Sequence, residues 1–104
     1  MNSRTTNLYP KINPSVTAMK MLSVGGSVVK LTDGYTFDEK TRYISLDVQD
    51  NDVYVAYHDA TPSNTVGHIL YAGNSYTWDV DTAKAASFIQ VGGAAIIAAS
   101  QFTD

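Results

Sequence analysis

The chain has 104 residues, enough for one domain with a single core, and 44% of them are hydrophobic. Its formal net charge is −3 and its seven basic residues are spread without a cluster, which argues against a nucleic-acid or anionic-membrane partner. Cysteine is absent, so disulfides, thiolate metal sites and thiol nucleophiles are excluded together.

Residues 1–15 differ in character from the rest of the chain. They hold Asn, Ser, Thr and two prolines, Pro10 and Pro14, around isolated apolar residues, with no helical or strand period. Each proline biases the residue before it toward extended geometry. The expectation is an extended arm over 1–17, able to reach about 50 Å if fully stretched. Leu8, Tyr9 and Ile12 are its candidate partner-binding anchors, and residues 18–104 form the domain. The arm lacks the apolar run of a secretory signal. The longest apolar run, Val91 to Ala99, is far shorter than a membrane helix needs.

From Ala18 the pattern has a period of two. Met19 to Val24 alternates, with Leu22 and Val24 inward. Gly25-Gly26 reads as a two-residue turn, and Val28 to Leu31 returns as a short strand. After the Asp33-Gly34 turn, Tyr35 to Thr41 is a mixed loop with room for a short strand around Tyr35 and Phe37. Tyr43 to Gln49 places Ile44, Leu46 and Val48 on one face. Asp50-Asn51-Asp52 turns the chain into Val53 to Tyr57, a run rich in β-branched and aromatic residues. His58 to Val66 is a loop punctuated by Pro62 and Asn64.

Leu70 to Val80 is the most legible stretch. Gly67 to Tyr71 and Ser75 to Val80 read as the arms of a hairpin around Gly73-Asn74. Tyr76, Trp78 and Val80 form its oily face, against Ser75, Thr77 and Asp79. Trp78 is the only tryptophan, and the core is expected to form around it. Asp81 to Ala86 holds the only run of helix formers, with Asp81 as the cap of a single turn. Ser87 to Val91 is a strand, Gly92-Gly93 turns, and Ala94 to Phe102 is the last strand. That strand is apolar on both faces, Ala95, Ile97 and Ala99 on one and Ile96, Ala98 and Phe102 on the other. It belongs either inside a sandwich or at a subunit contact. About eight short strands at this spacing predict an all-β chain, an antiparallel β-sandwich for which a jelly roll is one possible form.

The chemistry-bearing residues form no local signature. His58 and His68 lack the spacing of a zinc site. Asp47, Asp50 and Asp52 lack the glycine and distal glutamate of a calcium loop, and Asp and Asn favour turns by bonding the local backbone. Asp79 and Asp81, or Asp33, Asp38 and Glu39, are carboxylate pairs that composition alone would produce. No nucleophile elbow, phosphate loop or dinucleotide fingerprint occurs. The reading is a non-enzyme with no cofactor and no metal. The seven tyrosines are more informative, because an apolar body with a polar tip suits an interface. Tyr54, on the face opposite Val53 and Val55, is a better interface candidate than Tyr57, and Ile97 is a further candidate.

One resemblance is carried by strand spacing and turns over roughly Val24 to Phe102. A VYV strand comes after a polar turn (Asp52 to Val55). A leucine-bearing strand leads into a glycine-polar-serine turn (Leu70, Gly73, Asn74, Ser75) and a strand ending in Asp-Val (Thr77 to Val80). A small aliphatic strand comes after a Gly-Gly turn (Gly92 to Ala99). This resembles the small β-sandwich structural proteins of tailed bacteriophage virions, which decorate or cement capsids or sit near head–tail junctions. The resemblance implies a virion location after synthesis in the host cytoplasm. It also implies contact with the major capsid protein or other virion subunits, and homo-oligomers. Similar modules in fibres and adhesins make a carbohydrate- or receptor-binding β-sandwich the alternative. No site residue is carried over from the family.

Overall fold

The computed structural model of the chain describes residues 16–33 and 36–103. Among them, eight strands and one helical turn succeed each other. The strands are β1 (Val16–Val24), β2 (Val29–Lys30), β3 (Tyr43–Gln49), β4 (Val53–Tyr57), β5 (His68–Leu70), β6 (Ser75–Asp79), β7 (Ala86–Gln90) and β8 (Ala95–Phe102). The helix α1 (Val80–Ala85) lies between β6 and β7. The first strand opens at Val16, two residues inside the expected arm. Leu8, Tyr9 and Ile12 lie outside the described residues, as does Tyr35.

The strands form two antiparallel sheets of four, in the orders β1-β8-β3-β6 and β2-β7-β4-β5. The pairings β1·β8, β2·β7, β3·β6 and β4·β5 are nested, as if one long hairpin had been folded over itself. Contacts β3·β8 and β4·β7 then join the nested pairs side by side. This is the jelly-roll form of the β-sandwich.

Alternation puts one face of each sheet inside. Leu22, Val24, Ile44, Leu46, Val48, Ile97 and Ala99 come from the first sheet, and Val53, Val55, Leu70, Ala86 and Phe88 from the second. Burying a side chain such as Ile44, Leu46 or Phe88 contributes about 1.5–3 kcal/mol. Phe88, on an inner strand of its sheet, is the largest fully buried side chain among the described residues. Trp78 sits on the edge strand β6 and is only partly buried. It stacks on Phe88 with ring centroids 6.2 Å apart and planes 3° apart, and Tyr57 meets it edge-on at 5.8 Å. The expectation of a core centred on Trp78 is therefore corrected. An edge strand has no neighbour on its outer side, so its tryptophan closes the flank of the core and the centre lies at Phe88.

The hairpin expected over Leu70–Val80 is also corrected. β5 and β6 belong to different sheets, and Gly73-Asn74 carries the chain from one to the other. Gly73 has φ 87° and donates its amide to the Val48 carbonyl at 2.8 Å, while the Asn74 carbonyl accepts from the Val48 amide. The crossing is tied down further. The Tyr71 amide donates to the Tyr76 hydroxyl at 2.9 Å, and the Ala72 amide to Asp52 Oδ1 at 2.7 Å. Gly25-Gly26, Asp50-Asn51-Asp52 and Gly92-Gly93 likewise change sheets. The one connection between these strands that stays within a sheet is 58–67, between β4 and β5. It folds back over its own sheet, where Pro62, Ala56 and Ser87 are buried.

Helix α1 is capped by Asp79, not Asp81. The Asp79 carboxylate accepts from the Thr82 amide at 2.8 Å, and Val80 is already helical. Between β2 and β3, residues 36–41 form loop and turn, with no strand at Phe37. Phe37 packs on the core, with the Lys84 ammonium 5.8 Å from its ring centre.

Candidate functional site

The same alternation that fills the core lays out two outer faces. On the first sheet, the register aligns Met19 with Ser100 and Ser45, and Met21 with Ala98 and Asp47. Phe102 lies beside Tyr43 at one end of this face, and Ile96 beside Gln49 at the other. The middle of the face is floored by small side chains on β8 and β3. Long thioethers rise along β1, where Met19 is 63% and Met21 49% exposed. Tyr43 and Phe102 stack at 5.3 Å and close one end. The result is a shallow trough with an apolar wall along β1 and a polar margin along β6, where Thr77 and Ser75 lie beside Ser45 and Asp47. Among the described residues its charged members are Asp47, which accepts from the Ser75 hydroxyl at 2.6 Å, and Asp79.

The outer face of the second sheet carries Tyr54 in its middle. Tyr54 is paired with Ile69 on one side and Ile89 on the other, a continuous apolar row across β5, β4 and β7. Ile69 is 38% exposed, and Tyr71, just beyond it, is 54% exposed. Val91 flanks the opposite side and is also exposed. Tyr57 points the other way, against the core and Trp78. Burial there raises its hydroxyl pKa above the ordinary tyrosine value.

Ile97, a sequence candidate for partner contact, is corrected. It has no exposed surface, because its face of β8 is the inner one. Ile96, Ala98, Ser100 and Phe102, on the other face, are the partly exposed members of that strand. Met19, Met21, Ile69 and Ile89 were not singled out from the sequence. Their signal was nonetheless present: an outward residue is the neighbour of an inward one, so Leu22 inward places Met21 outward.

The polar groups serve the fold. Gln101 is fully buried: its Oε1 accepts from the Asp38 amide at 2.9 Å and the Thr41 hydroxyl at 2.6 Å, and its Nε2 donates to the Thr36 carbonyl at 3.0 Å. Asp47 and Asp52 bond to different segments, and Asp50 occupies a left-handed turn position with φ 74°. His58, also left-handed with φ 59°, and His68 are both exposed. An open groove at one end is lined by Glu39, Lys40, Arg42, Asp79 and Asp81, charges of both signs. The Thr82 side chain and amide hold the Asp79 carboxyl below the usual carboxylate range, and desolvation opposes this weakly. Among the described residues no three His, Asp or Glu side chains are grouped as a metal site. No helix among them is long and apolar enough to cross a membrane. Comparison of the chain with protein-family models, with curated proteins and with solved structures yields no match.

Proposed function

We propose that the chain is a non-enzymatic structural protein of a tailed-bacteriophage virion, a decoration or cement protein that binds the coat lattice. The observation that carries this reading is the apolar row Ile69–Tyr54–Ile89 on the outer face of a small jelly roll. A cement module has to hold shape while packing against neighbouring subunits. Its affinity can be modest at each contact, because many copies on one lattice act together. Tyr54 suits such a contact: it offers a large apolar area at low entropic cost and keeps a hydroxyl for the rim. Leu8, Tyr9 and Ile12 would add anchors, each worth about 1.5–3 kcal/mol when buried, against about 1–2 kcal/mol of backbone entropy per ordered residue.

The test is cosedimentation of the protein with coat particles that lack it. Wild-type protein pellets with the particles, and Tyr54→Glu, which leaves the core untouched, stays in the supernatant. Equal pelleting of both, or of neither, would remove the second-sheet face from the account. The glycan-binding alternative draws on the exposure of Tyr71. It predicts sugar-dependent quenching of Trp78 fluorescence, and a flat response across a glycan array would count against it.

A further inference from the structure

We infer that the outer face of the first sheet is the docking site for the N-terminal segment of a second copy of this chain, with Leu8 to Ile12 lying along the Met19/Met21 wall of the trough that Tyr43 and Phe102 close at one end. Three independent features select that occupant.

The first is shape. The rows from Phe102 to Ile96 span six residue steps of β8, about 20 Å along the strand, and the floor is made of Ala98, Ser100 and Ser45. Small floor residues let a backbone approach, and the Met19/Met21 wall covers its apolar side chains on one side. An extended Leu8 to Ile12 is about 13 Å long and fits within that length.

The second is charge. Residues 1–15 contain Arg4 and Lys11 and no acid, whereas all ten acidic residues of the chain come later. Among the described residues, the outward positions in the rows of this face include Asp47 and Asp79 and neither lysine nor arginine. A basic segment therefore meets a face whose outward strand positions carry only negative charge, although Lys40 and Arg42 border Asp79 at its end.

The third is where the segment joins the domain. β1 opens at Val16 opposite Phe102, at the aromatic end of its own trough. To lie in that trough, residues 8–12 of the same copy would have to reverse direction within three residues. Pro10 and Pro14 bias Tyr9 and Asn13 toward extended geometry, which opposes a tight reversal. An outstretched segment of this length reaches about 50 Å, enough to cross to a neighbour. Each copy then gives one segment and offers one trough. That contact closes into a ring or a reciprocal dimer, depending on the rotation between copies.

The inference concerns contacts between copies of this chain and goes beyond the virion reading, on which it does not rest. Its test is the mass of the full-length protein by light scattering over a concentration series, with circular dichroism confirming that each variant is folded. Wild type gives a mass above the monomer that rises with concentration and falls with added salt. Leu8→Glu with Ile12→Glu removes the anchors, and Met19→Glu with Met21→Glu places charge on the trough wall. Each double variant alone is a monomer. An equimolar mixture recovers a dimer, since one partner keeps its trough and the other its segment. If the glutamate wall variant does not fold, Ser45→Arg on the trough floor takes its place. A monomeric wild type, an arm variant with unchanged mass, or a folded mixture that stays monomeric would each overturn the inference. Cosedimentation of Tyr54→Glu with coat particles is read separately, because that variant keeps both the segment and the trough.

Discussion

A single buried amide holds one end of the sandwich together. Gln101 bonds two donors and one acceptor from residues 36–41, so a loop without secondary structure is anchored to the central strand β8. Gln101→Leu keeps roughly the volume and removes the acceptor of the Thr41 hydroxyl, in a residue that is itself buried. The expected cost is about 1–3 kcal/mol in urea denaturation, with faster proteolysis in the loop. Nothing in AAIIAASQF marks this role, because a glutamine at an inward position of an apolar strand can be read only once its partners are known. Two other residues set pH dependence. The Asp79 carboxyl is held below the usual range when folded, so its cap stabilises the fold at neutral pH. That contribution is lost as pH falls from the ordinary carboxylate value through the lowered one. Asp79→Asn keeps the cap without the charge, so its melting temperature should fall less in acid than that of wild type. Tyr57 has the opposite sense: its raised pKa favours the neutral form. Stability from its burial is full below the ordinary tyrosine value and is lost as pH climbs through the raised one.

At the scale of elements, strands were legible and their partners were not. Alternation located β1, β3 and β6, because a half-buried strand has to show its core face at every second residue, and β-branched or apolar runs between turn residues located the other five described strands. Glycine pairs and Asp-Asn runs located the reversals for an equally local reason. A turn residue reports that the chain changes direction, however, and carries no information on which sheet the next strand joins. Hence Gly25-Gly26, Gly73-Asn74 and Gly92-Gly93 read as hairpins and are crossings between sheets. The glycines separate accordingly. Gly67 has φ 105°, and a methyl there would run into the Val55 carbonyl oxygen, so Gly67→Ala should cost more than about 1 kcal/mol. Gly25 has open space around it and no left-handed requirement. Gly25→Ala should be neutral or add up to about 1 kcal/mol by restricting the unfolded chain. Chemical denaturation of the two variants side by side checks the contrast.

At the scale of the molecule, the jelly roll separates the core from the apolar surface that the proposed function assigns to recognition. Inner faces hold the core around Phe88, and outer faces hold the apolar surface that remains. Phe88→Ala should cost about 3–5 kcal/mol and exceed the loss from Trp78→Ala, reversing the order that side-chain size alone suggests. Ile97→Ala should lower stability by about 2–5 kcal/mol, whereas changes at Tyr54 or Met21 should leave the melting temperature nearly unchanged and act on association. Tyr54 could be singled out from sequence because in a strand it falls on the face opposite Val53 and Val55. The trough of the first sheet could not, since it is assembled from β1, β8 and β3, which are distant in the chain and adjacent only through the nested pairing. The central claim is that this chain is a repeated part of a particle. Under the proposed function, quantitative mass spectrometry of purified tailed-phage particles from a host that expresses the chain tests that claim most directly. The account predicts the protein in the purified particles at many copies, in a fixed ratio to the coat subunit. Its presence in infected cells and absence from the particles would contradict the account.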